Sequence, residues 1–548
     1  MASINRFWGD VMAEEIIAKV EANPELKKLV EKHGYFVYDE KTPSGEIHIG
    51  SGRGWVIHDV LAKCLRAKGK KAKFVLSSDD YDPFDKPIKG KPAFDKYLGV
   101  PFRNIPSPDG SGSSWAEHFF RQSVSRFPEW GIDAELESTG EEYEKGTFNK
   151  AIKKALDNTV KIKEIFERIY EKPYDKLPFN PICERCGKIG TTVTTAWNPE
   201  KELVTYECGV DTVQWATGCG HKGKMSPYNG TGKLPWKVEW PAKWISKGVI
   251  VETAGKDHFT KKGSRTVGIA ISDEVFDYEP PYPSTRTREG AGYEFINVSG
   301  RKMSTSKGRG HGFATMSDHV PPQILRFLMI SYKPYSVIDF DPERSNDLLL
   351  LYDRYDTAER VYFGAEESRR AEELRRVYEL SHVGPLPHKL PPQISLRHAG
   401  VIVQIAKDDK DAIALLQKEE SIPAKLDEEQ ERYLTTRLAA ARQWLATFAP
   451  ESEKFAVQEN VAPEIKKQLS VRQKKAISLL ASKLAEKEYK DKELFEAFYA
   501  ICEETGIKNT EFFAGVYLVL LGKERGPKLA NLILTIGQDH VRRLLGQS

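Results

Sequence analysis

Residues 34–80, GYFVYDEKTPSGEIHIGSGRGWVIHDVLAKCLRAKGKKAKFVLSSDD, decide the architecture of the chain. GYFVYDEK is a short apolar and aromatic run and reads as a strand, WVIHDVLAKCLRAKG carries apolar residues at helical spacing, and KAKFVLSSDD reads as a second strand. Strand, helix, strand is the repeating unit of a parallel, doubly wound α/β sheet, whose ligands sit at the carboxyl ends of the strands. The loops YDEKTPSGEIHIG and SSDDYDPFD would meet there. An α/β domain that binds no nucleotide is the plain alternative.

Outward from this unit, 548 residues are far more than one small core and imply three or four domains. Apolar residues make up 40% and charged residues 29%, the balance of a soluble globular protein. No run of about 18 apolar residues occurs and the N-terminus lacks a basic-then-apolar leader, so the reading is cytoplasmic with no membrane partner. A net charge of +3 says little about partners. The expected division is 1–175 and 235–315 as two halves of the sheet domain, 176–234 as a Gly/Cys-rich insertion between them, and two helical regions, 316–385 and 386–548. The Pro-rich stretch His382–Pro392 marks the last boundary. A strand signal returns at KGVIVETAGKDH, and the dense opposite charges of Arg360–Arg376 read as a solvated helix face.

Two loops carry phosphate chemistry. Pro43-Ser44-Gly45-Glu46-Ile47-His48-Ile49-Gly50-Ser51 lies between the first strand and its helix, where helix N-terminal amides favour phosphate, glycines allow close approach, and His48 can donate to phosphate oxygens. An isolated turn histidine with no catalytic role is the competing reading. Lys302-Met303-Ser304-Thr305-Ser306-Lys307-Gly308 is a loop of small polar residues between two lysines, suited to closing on a triphosphate, or simply a solvated loop.

Together HIGS and KMSTS resemble the two signatures of class I aminoacyl-tRNA synthetases, in order and in context. The resemblance implies a Rossmann-type catalytic domain that makes an aminoacyl-adenylate from amino acid and ATP with Mg2+. Where the family has a second histidine this chain has Ser51, and where it has a lysine in the second signature it has Thr305, leaving Lys302 and Lys307 as triphosphate contacts. Pro43, Ser44, Gly45, His48, Gly50, Ser51, Lys302, Met303, Ser304, Thr305 and Ser306 are the expected ATP contacts, with His48, Lys302 and Lys307 catalytic. Along nearly its whole length the chain also looks like the class I type of lysyl-tRNA synthetase, through SDDYDPFDK, KYLGVPFRNIPSPDG, WPAKW, GKDHFT, YEFI, LRFLMISYKP, LYDRYD and FFAGVYLVLLGKERGPKLANLI. This implies L-lysine, ATP and tRNA(Lys) as partners, and no DNA. Rival readings are a class I enzyme for glutamate or cysteine, a non-catalytic tRNA-binding paralogue, or a small-molecule nucleotidylyltransferase.

A lysine side chain needs carboxylate for its ammonium and an apolar or aromatic wall for its stem. Asp79 and Asp80 at a strand end and Glu294 are candidate carboxylates; Trp240, Trp244 and Tyr293, with Tyr282 as alternative to the last, are candidate walls. The family's pocket positions correspond to Thr42, Trp240 or Trp244, His258 and Tyr293. Core tryptophans and a helix-capping aspartate are the structural alternatives.

Cys183-x-x-Cys186, Cys208 and Cys219-Gly220-His221 suggest structural zinc held by four of these five, with the choice between Cys208 and His221 as fourth ligand open. The module would shape the rim of the cleft or touch the tRNA acceptor end. Cys64 and Cys502 fall in helical patterns and read as core. In the C-terminal half, Ile465, Leu469, Ala476, Leu480 and Leu484 form one helical stripe, with Lys466, Lys467, Arg472, Lys474 and Lys475 on other faces. The resemblance assigns this half to anticodon recognition. One expectation follows for the pocket: His258→Ala weakens lysine-dependent ATP–pyrophosphate exchange while tRNA affinity stays within about twofold of wild type, since the ring faces the amino acid and carries no phosphate contact. Unchanged exchange removes His258 from the site.

Overall fold

A computed structural model describes residues 5–88, 90–283, 292–302 and 311–548, Lys302 through its backbone alone. Three parallel strands, β1 (Tyr35–Lys41), β2 (Ala72–Ser78) and β3 (Ala134–Ser138), lie in the order β1-β2-β3, with Tyr35 opposite Ala72 and Phe74 opposite Ala134. The helix Ile49–Ala67 makes the crossover from β1 to β2; Trp55, Val56, Ile57, Val60, Leu61 and Leu65 are among its buried residues. On the other edge of β1, Val37 pairs in parallel with Val251, and Val251 in turn with Tyr282. Chain order thus runs outward in both directions from β1, which makes the gap between β1 and residue 251 the topological switch point.

The segment KGVIVETAGKDH returns to the sheet as its pattern predicts, but it stays beside β1 only to Glu252. Tyr38 N donates to Val251 O at 2.9 Å and Tyr282 N to Ile250 O at 2.9 Å; beyond Glu252 the segment parts from β1, where Thr253 N donates to the His58 ring at 2.9 Å, while on its other side the parallel pairing continues, Tyr293 N donating to Ala254 O at 2.9 Å and Lys256 N to Tyr293 O at 3.0 Å, before the 3-10 turn Lys256–Phe259. A buried histidine takes the donor that a ladder would have used.

Two glycines in the first helix are required by close approach. A Cβ on Gly52 would lie 2.4 Å from the Phe313 ring, and one on Gly54 2.6 Å from the Tyr293 hydroxyl. Arg53, between them, is buried and donates to three carbonyls, Glu294 at 2.6 Å, Lys333 at 3.0 Å and Ser336 at 2.9 Å. Lys333 and Ser336 precede Ile338–Asp339, a short strand parallel to Ile296–Val298 that interrupts the helical pattern expected after Pro321.

The cysteine-bearing segment folds as an antiparallel sheet of Thr192–Asn198, Leu203–Cys208 and Lys222–Met225, and its ends meet where Asn180–Pro181 pairs with Gly232–Lys233.

The chain divides into two compact units: residues 1–318, 322–340 and 367–386 form the first, and 319–321, 341–366 and 387–548 the second. The second unit is helical, and an apolar core within it is built from Val471–Glu486, Asp491–Thr505, Asn509–Leu521, Leu529–Ile536 and Gln538–Leu545. The continuous stripe expected from Ile465 to Leu484 is two helices, Pro463–Gln468 and Val471–Glu486, because Ser470 caps the second through the amide of Gln473 and Gln473 returns the bond. Among the described residues no helix is long and apolar enough to cross a membrane.

One buried ion pair bears on the first unit's stability. Arg326 donates to Asp59, both side chains fully buried, and Asp59 also accepts from Lys63 Nζ at 2.8 Å and Asp133 N at 3.0 Å. Arg326→Leu strands the carboxylate and should cost about 3–5 kcal/mol, read as a lower urea midpoint for the first unit's transition.

Candidate active site

A cavity of about 580 Å3 opens at the carboxyl ends of β1 and β2, at the switch point. Trp55, Trp236, Trp240, His258 and Tyr293 give it aromatic walls, and Asp39, Glu40, Asp79, Asp82, Asp85 and Glu252 line it together with Lys41 and Lys86. Carboxylates outnumber cations in this lining.

Behind the lining two buried ammonium groups hold four carboxylates. Lys233 Nζ lies 2.5 Å from Asp82, 3.0 Å from Glu239 and 3.5 Å from Asp79; Lys243 Nζ lies 2.6 Å from Glu40, 3.4 Å from Glu239 and 3.5 Å from Asp79. Tyr143 donates to the other oxygen of Glu239 at 2.7 Å. Burial disfavours the Lys243 charge, but Asp79, Glu239 and Glu40 outweigh it and hold the pKa well above the ordinary value. Asp79 is likewise pushed up by burial but carried below the usual carboxylate value by the two lysines. For Glu40 and Asp82 the balance is opposite: burial and the repulsion of Asp79 outweigh their lysine partners, raising Glu40 well above the carboxylate range and Asp82 to about 6. Glu40 and Asp82 are also the more open pair, with side chains 20% and 24% exposed against 7% for Asp79 and 2% for Glu239.

The residues singled out in the sequence divide between this cavity and its surroundings. Thr42, Asp79, Trp240, His258 and Tyr293 line it, as do Ser44 and Ser51 from the first signature. Thr42 donates to Asp82 at 2.9 Å, and His58, whose Nε2 accepts from Thr253 N, points Nδ1 at Gly54 O, 2.8 Å away, and at Asp39, 3.3 Å away. The His258 ring sits edge-on to Trp240 at 5.5 Å and bonds Ser264 at 2.7 Å. Trp244 is not a wall: it is fully buried and donates, like Trp240, to Glu252 of the cavity lining, with Arg265 stacked on its ring. Asp80 turns away to accept from Ser138 Oγ at 2.6 Å and Gly140 N at 2.8 Å, a helix-start arrangement, and Glu294 pairs with Lys256 at 2.7 Å. Tyr282 donates to Glu15 and leaves the aromatic position to Tyr293.

The first signature forms the start of the helix Ile49–Ala67, with His48 at the N-cap position and its Nε2 3.5 Å from Ser51 Oγ. Pro43 and Gly45 flank Ser44; a Cβ on Gly45 would meet open space, whereas one on Gly50 would press on the His48 ring at 3.0 Å. Met303, Ser304, Thr305, Ser306 and Lys307 lie outside the described residues, and Lys302 is described only by its backbone pairing with Asn297. The chain just after them rests on the first signature: Ile49 N donates to His311 O at 3.0 Å and Phe313 N to Ile47 O at 2.7 Å.

The sulfurs of Cys183, Cys186, Cys208 and Cys219 all lie within 4.8 Å of one another, with Cys183–Cys219 at 3.6 Å and Cys186–Cys208 at 3.7 Å. A tetrahedral zinc with bonds of ~2.3 Å separates its sulfurs by about 3.8 Å, so the four thiols fit that ion. His221 is outside this group, its Nε2 3.9 Å from Glu184.

Glu40, Asp82, Lys233, Glu239, Lys243 and Glu252 were missed by the sequence reading. A signal existed for one pair: Glu239 and Lys243 are four apart on the same helix as Trp240 and Trp244, so the charged pair shadows the aromatic pair one residue behind.

With this geometry in view the comparisons are specific. A family model described as tRNA synthetases class I (K) matches residues 6–384, and one described as an anticodon binding domain matches 414–547. A lysine–tRNA ligase of Methanocaldococcus jannaschii is 34% identical over 98% of this chain and 98% of its own length. Counterparts of the same name from Methanococcus maripaludis and Methanosphaera stadtmanae are each 32% identical, over 97% and 98% of this chain and 98% of their own lengths. The chain belongs to the class I (K) family of tRNA synthetases.

Proposed function

We infer that the protein is a lysine–tRNA ligase, which activates L-lysine with ATP to lysyl-adenylate and transfers it to tRNA(Lys). The observation that carries this reading is the sign of the cavity: an aromatic-walled site whose acidic groups exceed its internal cations suits a third ammonium on an aliphatic stem. A glutamate enzyme needs the opposite charge.

In this reading the lysine stem lies along Trp240 and Tyr293 beside His258, and its ammonium is received by Asp82 and Glu40, the carboxylates that Lys233 and Lys243 leave least neutralised. Its carboxylate oxygen attacks the α-phosphorus of ATP; the bond from that phosphorus to the bridging oxygen breaks and pyrophosphate leaves. His48, the first helix's N-terminal amides, Ser44 and Ser51 stabilise the charge that develops on phosphate, with Lys302 and Lys307 as the contribution of the second signature. Mg2+ accompanies ATP, as the family resemblance implies. Zinc on Cys183, Cys186, Cys208 and Cys219 cross-links the loops of the inserted module. The residues after 386 bind the anticodon arm, in keeping with the anticodon binding domain matched over 414–547.

The direct test is pyrophosphate exchange with each of the twenty amino acids in turn, total tRNA present: lysine alone should support it, and exchange with glutamate or cysteine overturns the assignment. Two further outcomes are expected. Burial and the neighbouring Asp79 push the Asp82 carboxyl up to about 6, and only its ionised form attracts the substrate ammonium, so the Asp82 contribution to lysine affinity is full above pH 7 and falls as pH drops through 6. Calorimetry should show a Kd weakened about tenfold at pH 5 relative to pH 7, with most of that dependence gone in Asp82→Asn; a flat wild-type profile removes Asp82. For the metal, purified protein should contain one zinc that Cys208→Ser loses and His221→Ala keeps. Loss in His221→Ala would make the imidazole a ligand.

A further inference from the structure

Of the six carboxylates that line the amino-acid cavity among the described residues, four have cationic partners and one is open to solvent. Asp79, Asp82 and Glu40 share Lys233 and Lys243. Glu252 accepts from the indoles of Trp240 and Trp244, with the Arg265 guanidinium 3.8 Å away. Asp85 is exposed. Asp39 is the exception: its side chain is only 14% exposed, yet no lysine or arginine pairs with it among the described residues.

The surroundings of Asp39 orient it without neutralising it. Glu40 N donates to Asp39 Oδ1 at 2.9 Å, and the buried ring of His58 turns Nδ1 toward Oδ2 at 3.3 Å and toward Gly54 O at 2.8 Å. The backbone amide of Thr253 can only donate, and it meets Nε2 at 2.9 Å, so that nitrogen is bare and the single ring proton sits on Nδ1. Burial disfavours a charge on the ring and Asp39 favours it, with a net rise in its pKa. A second proton, on Nε2, would nevertheless set donor against donor at Thr253, so the neutral tautomer is the one this backbone accepts. The imidazole therefore fixes the carboxylate by a hydrogen bond and leaves its charge uncompensated.

The first helix defines where Asp39 points. A Cβ on Gly54 would lie 2.6 Å from the Tyr293 hydroxyl and 3.3 Å from Asp39 Oδ2, so both oxygens converge beside that glycine, one helical turn after Ser51 of the first signature. Successive strand residues point to opposite faces of a sheet, and here Glu40 turns to Lys243 while Asp39 turns to His58 of the first helix. One strand end thereby offers a carboxylate on each side of the cavity, and lysine is an amino acid with an ammonium at each end. We propose that Asp39, oriented by His58, binds the α-ammonium of the substrate, with the Tyr293 hydroxyl as a second acceptor, while Glu40 and Asp82 take the ε-ammonium. The inference rests on the ligase reading above and deepens it. Holding the α-nitrogen beside Gly54 brings the substrate carboxylate, one carbon away, to the end of the cavity lined by Ser44 and Ser51. A lysine acylated at its α-nitrogen lacks the charge that Asp39 recognises, and an ω-amino acid lacks the nitrogen altogether, so both are refused.

The test is calorimetry on the full-length protein with lysine and with 6-aminohexanoic acid, which is lysine without its α-nitrogen. Wild type should bind lysine roughly thirtyfold more tightly, the scale of one charge-assisted hydrogen bond in a shielded site. Asp39→Asn should bind lysine about as weakly as wild type binds 6-aminohexanoic acid, with its affinities for 6-aminohexanoic acid and for ATP within about twofold of wild type. His58→Gln, whose amide oxygen can still accept from Thr253 N but which offers Asp39 no fixed donor, should weaken lysine alone, by about fivefold. That variant decides the matter if Asp39→Asn loses its folded circular-dichroism spectrum. Equal affinity of the wild type for the two ligands, equal weakening of both in either variant, or a matching fall in ATP affinity each overturns the proposal. Failure of the wild type to bind lysine at all counts against the ligase reading instead.

Discussion

Two ammonium groups buried among four carboxylates hold the catalytic end of this molecule together. Lys233 ends the inserted module, Lys243 sits in the helix Trp236–Lys247, and their partners come from β1 (Glu40), the end of β2 (Asp79), the loop after it (Asp82) and the same helix (Glu239). Desolvating a lone ammonium costs several kcal/mol, so neither lysine could lie at 0–4% exposure without close carboxylates. The converse also holds: four carboxyl groups converging on one strand end would repel without the lysines. The module, the sheet and the helix are thereby fixed to one another by a set of charges that no single element can satisfy alone. The same triad of Asp79, Asp82 and Glu239 has the spacing of a cation site, and Lys233 is already the cation that fills it.

That network also sets the selectivity of the cavity through its stoichiometry. With two ammoniums among four carboxyl groups, Asp79 and Glu239 each touch both lysines while the outermost two, Asp82 and Glu40, have one lysine each, and burial together with the repulsion of Asp79 drives their proton affinity up. A carboxyl group held in this state gains most from an arriving cation, because the ligand relieves the repulsion as well as forming the contact. A neutral or anionic amino acid of the same length offers no such gain. Specificity then lies less in shape than in a deliberate surplus of negative charge, and the aromatic walls contribute apolar surface without disturbing that sign.

The fold and the location of the site were legible in the sequence because both rest on local signals. Strand, helix and strand from Tyr35 to Ser78 appear as patterned, and the loops at the strand ends carry Thr42, Ser44, Ser51 and Asp79 into one cavity. The ion network was not legible, since its members are separated by up to two hundred residues and each in isolation reads as an ordinary surface charge. Lys243 within WPAKW is the clear example: a lysine between tryptophans suggests a solvated face, yet it is wholly buried. Asp80 and Trp244 failed for the reason their plain alternatives anticipated. The aspartate caps a helix, and the second tryptophan of the pair turns inward because residues four apart share a helix face but only the first reaches the strand ends. The point at which the segment after Lys247 parts from β1 was not legible, because periodicity reports which side chains are apolar, not which backbone donors a buried His58 will claim.

The same reasoning explains the two glycines that follow the first signature in its helix. Gly52 and Gly54 give up side chains so that Phe313 and Tyr293 can pack against the helix backbone, and Arg53 between them spends its guanidinium on three carbonyls. Burial lowers the Arg53 pKa to about 10, with Glu294 opposing, so the group stays charged at neutral pH and its bonds remain charge-assisted. Through Glu294 the helix fixes the neighbouring Tyr293, a cavity wall; through Lys333 and Ser336 it fixes the approach to Ile338–Asp339, and with it Ile296–Val298 and the backbone of Lys302. On the far side of the second signature, His311 and Phe313 bond to Ile49 and Ile47. Lys302 and His311, the described residues on either side of 303–310, are therefore both tied to structure that radiates from one helix N-terminus. The amino-acid wall, the first signature and the entry and exit of the second share a single mechanical origin, and a displacement at Arg53 must reach all of them together.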